Sequence, residues 1–276
     1  MLDKTFNKDD IKLLDDDKYT FNVLCRIMYS NCQLTLTDHK RLIICSSSDE
    51  FPVWVWTPDD ATKEEMEYAY NICDEYNLLG GKYRFVLKYE LANYFISRAK
   101  LDNKDISIFL NMYAYDCNNP IKPDIIADGC IHQCNDSDFD ELVDFIDCFH
   151  NDIGIDKQSI ESYKKDAKEY IDSGTVYFWQ NNDGKMVAST KYTIVDNLAT
   201  INLVYTKKEY RRMHYANNLV YEITKIVKDM GYIPMLYTNA DYIASNACYE
   251  KIGYVLKGKL CNIKISIKWY KWHCLL

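Results

Sequence analysis

The sequence predicts a mixed α/β fold, with helices packed on one central sheet in the α+β manner. Strand-length runs of β-branched and aromatic residues recur along the chain. Between them lie stretches with apolar residues three and four apart, the spacing of amphipathic helices. The composition suits a compact protein: among 276 residues, 48% are hydrophobic, 27% charged, and only 9 are Gly and 5 Pro. A chain of this length holds one large domain or two of ordinary size.

The elements follow in order. Leu13 to Tyr29 begins with charge and continues as an apolar helix. Arg41 to Cys45 and Phe51 to Trp56 read as strands, with Ser46 to Asp49 as their turn. A helix follows TPDD, with early acids and Met66, Ala69, Tyr70 and Cys73 on one face. Tyr83 to Leu87 is a strand, Glu90 to Lys100 a helix, and ISIFLNMYAYDC a strand. DCNNPIKPD, with two of the prolines, marks the boundary between a domain over 1–118 and another over 124–276.

The second domain reads as a strand in IIADGCIHQCN, a helix from Ser137 or Asp138, and a second helix ending at Gly174. A hairpin then turns at NNDG. The strand ATINLVYT leads to a helix closed by Gly231. YIPMLYTN is a strand, ASNACYEKIG a short helix, and YVLKGKLCNIKISI a final strand pair. A repeat relation between the two domains is suspected from their similar alternation.

The net charge of -8 argues against nucleic acid or anionic membrane as a general partner. The eleven cysteines are scattered, odd in number and without a CxxC pair. The first twenty residues are charged throughout, so the expectation is a cytoplasmic protein with reduced thiols. Acidic runs such as DSDFDELVDF lack calcium-loop spacing. His132 and Cys134 would need further ligands, so no metal is expected. Trp269 and Trp272 would pack a domain interface.

The chemistry concentrates in YTKKEYRRMHYANNLVYEITKIV. Ala216, Leu219, Val220, Ile223, Ile226, Val227 and Met230 define the buried face of a helix that begins near Arg211 to His214. Two arginines at its mouth oppose the helix dipole unless an anion sits there. Unpaired N–H groups of the first turn favour such an anion, and a diphosphate matches this strand-loop-helix. A solvent-facing charged turn is the other reading. Neither GxxxxGK[ST] nor GxGxxG occurs, so nucleotide loops of those kinds are unsupported.

LVYTKKEYRRMHYANNLV resembles the acyl-CoA-binding motif of the GNAT acetyltransferase superfamily, [Gln/Arg]-x-x-Gly-x-[Gly/Ala]. Arg211 fits its first position and Ala216 its last, while His214 replaces the middle glycine. A second stretch, PMLYTNADYIASNACYEKIGYVLKG, resembles the family's following strand and helix through Leu236, Tyr237, Thr238, Ser245, Asn246, Tyr249, Lys251, Gly253 and Tyr254. The resemblance covers roughly the last 150 residues. It implies a GNAT-like fold there, preceded by a divergent N-terminal domain of related fold.

The resemblance also implies a site. Acetyl-CoA would lie where two parallel strands splay, with backbone groups of Leu203 and Val204 meeting the acetyl and pantetheine parts. Arg211, Arg212, Met213, His214, Tyr215 and Ala216 would hold the pyrophosphate, with His214 tolerated if its backbone is helical and its ring turned outward. Ser245 and Asn246 would hold the pantetheine arm or cap the helix. Tyr249 would protonate the leaving thiolate, since a phenol stays protonated at neutral pH. Cys248 reads as a small buried packing residue. Asp196, Glu209 and Asp241 are candidate bases. The implied function is acetyl-CoA-dependent transfer to a small amine or aminoacyl compound. A non-catalytic acyl-CoA-binding module is the alternative.

Overall fold

The computed structural model describes residues 2–30, 32–154 and 157–266. Trp269 and Trp272 lie outside the described residues. The chain divides into two compact units. The first takes in the described residues of Met1–Tyr113, Asn239–Asp241 and Gly258–Leu276, the second those of Ala114–Thr238 and Tyr242–Lys257.

In the first unit, helix α1 (Asn22–Met28) precedes strands β1 (Leu34–Thr37), β2 (Ile43–Ser46) and β3 (Val53–Trp56). They form an antiparallel meander in which Thr35 faces Cys45 and Ile44 faces Val55. Helix α2 (Lys63–Glu75) crosses to β4 (Arg84–Leu87), which runs parallel to β3. Helix α3 (Tyr89–Leu101) leads into β5 (Asp105–Asp116). Helix α2 starts sharply because Thr62 Oγ1 accepts from the Glu65 amide while Glu65 Oε2 accepts from the Thr62 amide. Its predicted face, Met66, Ala69, Tyr70 and Cys73, is buried against Phe85, Phe95 and the strands.

Two readings change here. The stretch from Leu13 to Tyr29 is not one helix: a 3-10 turn at Asp10–Leu14 is separated from α1 by a run of turns. Asp17, in that break, accepts from Trp56 Nε1 at 2.7 Å and Lys88 Nζ at 2.6 Å, so tertiary partners set the local backbone. The short strand β1 went unpredicted because LTLT has too few residues for its alternation to stand out.

In the second unit, β6 (Cys130–Gln133), α4 (Phe139–Ile153) and α5 (Ile160–Asp172) precede β7 (Val176–Gln180), β8 (Met186–Val195) and β9 (Leu198–Thr206). Helix α6 (Tyr215–Asp229) crosses to β10 (Ile233–Asn239), and α7 (Ile243–Ile252) follows. The strand order is β10-β9-β8-β7-β6, with β9 and β10 parallel and the rest antiparallel. Only four residues of the predicted IIADGCIHQCN strand pair, as β6.

Strand alternation assigns the two faces of this sheet. Leu142, Phe145, Tyr163 and Ala167 of α4 and α5 pack on Val176, Phe178, Leu203 and Tyr205. Lys191 faces Val176 and Ser189 faces Phe178 across the β7–β8 ladder, so both point to the α4/α5 side. Tyr192 points to the opposite side, where its hydroxyl reaches Met230 Sδ at the end of α6. Met230 itself is 50% exposed, because at the C-cap it has turned off the buried face.

The last strand, β11 (Val255–Ser266), is one continuous strand, not a pair. Residues 258–266 belong to the first unit, where Cys261 faces Leu87 in an antiparallel ladder with β4. Gly258, within this strand, serves close approach: an added β-carbon would lie 2.0 Å from Thr20 Oγ1. Among the described residues, no helix is long and apolar enough to cross a membrane.

Candidate functional site

The site begins where β9 and β10 part. Their paired register runs from Ile233 and Leu198 to Leu236 and Ile201. The remaining residues of both strands lie beyond that ladder. On its other edge β9 carries a bulge: Lys191 faces Asn202 and Ser189 faces Tyr205, leaving Leu203 and Val204 opposite one residue of β8. Leu203 has φ of 53°, a left-handed conformation that turns its backbone out of the ladder. The Ser189 hydroxyl, itself fully buried, donates to the Leu203 carbonyl at 3.1 Å and holds the kink.

Strand β9 ends at Thr206, and a 3-10 turn at Lys208–Tyr210 leads to the loop before α6. Arg212 and His214 both have φ of 66°, while Arg211 between the turn and the loop is extended. The helix therefore starts at Tyr215, with His214 as its N-cap and no side-chain cap on its amides. The start lies just past the expected Arg211 to His214, and the helical backbone that would let His214 be tolerated is not present. Its backbone is left-handed, the state for which glycine is favoured. The orphan amides of the first turn remain available to an anion. The side-chain oxygen of Asn217, on the same turn, is buried and has no hydrogen-bond partner within the described residues. A ligand bringing both an anion and an N–H donor fits these groups.

The loop residues differ in availability. Arg211 Nε donates to the Thr206 carbonyl at 3.1 Å, its guanidinium pairs with Asp152 at the end of α4, and it lies 5.6 Å from the Tyr205 ring centroid. It braces the loop instead of pointing freely at a ligand. Arg212, Met213 and His214 are exposed. Tyr215 is buried and donates from its hydroxyl to Asp128 Oδ1 at 2.5 Å. That bond raises the Tyr215 phenol to about 12 and lowers the Asp128 carboxyl. Ala216 is half-buried at the first turn of α6.

Helix α7 supplies the other wall. Thr238 Oγ1 donates to Asn246 Oδ1 at 2.9 Å and lies 3.2 Å from Ser245 Oγ. Tyr249, one turn on, is 8% exposed and packs edge-on against Tyr254. Burial pushes its hydroxyl well above the ordinary phenol range, with Cys248 and Tyr242 adding to the shift. Cys248 is half-buried, less enclosed than predicted, and burial raises its thiol to about 11, so it is a poor nucleophile at neutral pH.

The candidate bases separate on geometry. Asp196 sits in the β8–β9 turn with φ of 52°, and the strand from Leu198 to Leu203 alone spans about 17 Å at roughly 3.3 Å per residue. It is too far to take a proton at the bulge. Glu209 is exposed beside a polar cavity of about 430 Å³ that Glu141, Lys185 and Lys207 also line. Asp241 accepts from Asn111 Nδ2 at 2.9 Å. His132 is bonded to Asp138 at 2.7 Å. Among the described residues, no group of three His, Cys, Asp or Glu side chains is placed to hold a metal ion.

These features define a class of fold. Residues 140–254 match the model of the Acetyltransferase (GNAT) family, and the mixed α/β sheet there has GNAT-like topology. Solved structures agree across a wider span. A GNAT-family acetyltransferase from Colwellia psychrerythraea is 12% identical, with a TM-score of 0.63 over 97% of this chain and 100% of its own. A GCN5-related N-acetyltransferase from Sphaerobacter thermophilus is 10% identical, with a TM-score of 0.64 over 81% of this chain and 76% of its own. One from Kribbella flavida is 14% identical, with a TM-score of 0.59 over 90% and 94%. At such identities the likeness is one of fold. A comparison with curated protein sequences yields no match. The fold is consistent with acetyl-CoA binding and acetyl transfer in general.

Proposed function

We propose that the protein is an acetyl-CoA-dependent N-acetyltransferase that transfers the acetyl group directly to a small amine or aminoacyl compound. The bulge at Leu203 carries this reading, because it frees strand backbone where β9 and β10 cease to pair. Acetyl-CoA supplies the activated acyl group. The Val204 amide would donate to the acetyl oxygen and stabilise the charge that grows there during attack. The amides of Met213 to Ala216 and the Arg212 side chain would receive the pyrophosphate. Ser245 and Asn246 would position the pantetheine arm, and Tyr249 would return a proton to the thiolate. An unperturbed phenol is already protonated at neutral pH, and the upward shift of Tyr249 leaves it so.

Calorimetric titration with acetyl-CoA and CoA, followed by an amine screen for thiol release, tests the reading. Binding and turnover are expected; no donor binding at millimolar concentration would reject it. Tyr249→Phe is expected to lower kcat about 10²-fold or more with little change in donor affinity. Unchanged kcat across pH would remove Tyr249 from the acid role.

A further inference from the structure

The sheet of the second unit exposes polar groups on the face opposite the donor walls. Thr238 of the α7 wall and Tyr237 alternate along β10, so Tyr237 turns to the α4/α5 side. Asn202 shares that side with Lys191, its direct cross-strand partner, and Thr200 with Thr193. Lys191, Thr193, Asn202 and Tyr237 are only half-buried, although β8 and β9 are interior strands and the neighbouring positions under α4 and α5 are closed apolar core. A half-open polar strip inside an otherwise apolar sheet face calls for an explanation.

Its position supplies one. Asn202 immediately precedes the bulge, and Lys191 is one strand spacing away, about 5 Å between backbones. The loop before α6 and α7 lie on the other side of the sheet, and on this side Leu203 of the bulge is closed under α4 and α5, so the half-buried Asn202 and Lys191 beside it are the groups an acceptor at the bulge would meet. Lys191 Nζ lies 3.6 Å from the Tyr170 ring centroid and 3.4 Å from Thr193 Oγ1, which fixes its ammonium over the strip. Asp166 of α5 is close enough for the lysine's charge to act on it, and burial holds its carboxyl above the ordinary carboxylate range.

We infer that Lys191 and Asn202 form the acceptor subsite, and that the acceptor is a small amine that also carries a carboxylate, held by the Lys191 ammonium. This rests on the proposed acetyl transfer and narrows its substrate class. A lysine braced on an aromatic ring loses little freedom on binding an anion, and a charge-assisted bond in a half-buried strip discriminates strongly against a neutral isostere.

The test compares α-amino acids with their carboxamides, both as acceptors in thiol release and by calorimetry on CoA-saturated protein. The carboxylate form of at least one is expected to be favoured about 10- to 100-fold, the scale of one charge-assisted hydrogen bond. Lys191→Met should abolish that preference through KM and leave CoA affinity unchanged, while Lys191→Arg retains part of it. Thermal midpoints of both variants report on folding. Acids and carboxamides used or bound alike, no binding of either, or a preference that survives Lys191→Met would overturn the inference. Failure of CoA itself to bind would instead reject the acetyl-transfer reading.

Discussion

His214 concentrates the conflict between stability and site geometry in one residue. A β-carbon in the left-handed region costs about 1–2 kcal/mol, and His214 occupies that region at the N-cap of α6 without capping the helix. Glycine would relieve the strain but lose more backbone entropy on folding, about 0.5–1 kcal/mol. His214→Gly is therefore expected to stabilise the protein by about 0.5–1 kcal/mol and raise Tm by about 1–3 °C. His214→Val, β-branched at the same φ, should lower Tm. Calorimetric melting of the pair decides it, and a Gly variant less stable than Val would show that the histidine ring makes a contact worth more than the strain. The sequence exposed His214 as the departure from a glycine motif, but not its φ. Nor could it show that Arg211 is spent on Asp152, since α4 and the loop are far apart along the chain and adjacent only once folded.

At the scale of the element, α7 depends on how it ends. Gly253 closes the helix with φ of 100°, and a β-carbon there would lie 2.5 Å from the Asn119 carbonyl oxygen. The Ile121 amide donates to the Ile252 carbonyl at 2.7 Å, so the 119–121 segment is locked against the helix end and has no room to withdraw. Gly253→Ala should cost about 2–4 kcal/mol, combining a forbidden backbone state with a backbone clash. Urea unfolding checks this, and a loss under 1 kcal/mol would mean the segment shifts freely. The same helix shows why the candidate site was partly legible. Ser245, Asn246, Tyr249 and Gly253 sit on one short element whose spacing the sequence displays directly. The bulge at Leu203 was not legible, because a pairing irregularity depends on the partner strand: Ser189 holds it from β8, and nothing in LVYT announces it. The proposed role of Lys191 rests on a feature hidden in the sequence for a related reason. In KYTIV it looks like an ordinary exposed strand charge, and only the β7–β8 register turns it inward. The core helices α2 and α6 were easier to read, since their periodicity depends on local sequence alone.

Over the whole molecule, charge pairing sets a pH window for stability. Several carboxyls are held below their ordinary values by hydrogen-bonded partners: Asp49 by Lys82, Glu65 by Arg41, Glu67 by Tyr94 and Arg98, Asp102 by Arg98, and Asp128 by Tyr215. A lowered carboxyl stabilises the fold above its unfolded pKa, and that contribution is lost as pH falls through its folded pKa. His39 acts in the opposite sense. Its ring bridges Asp10 at 2.8 Å through Nδ1 and Asp3 at 2.6 Å through Nε2, and these bonds raise its pKa above 6.5. Its contribution is complete below the unfolded value of about 6.5 and disappears as pH rises through the folded one. The two trends bound a stability maximum between about pH 5 and 6.5, above the unfolded carboxyl range and below that of histidine. The acid limb draws on many groups across both units, so no single substitution removes it. The alkaline limb near neutrality draws on His39, which joins the segment around Asp3 and Asp10 to the turn after β1. His39 has φ of 60°, so asparagine, which tolerates the left-handed region, is the replacement of choice. His39→Asn should lower Tm at pH 6 and flatten the fall in Tm between pH 6 and 8, with the acid limb unchanged. Melting curves across pH for both proteins measure this, and an unaltered slope above pH 6 in the variant would assign the alkaline loss to another group.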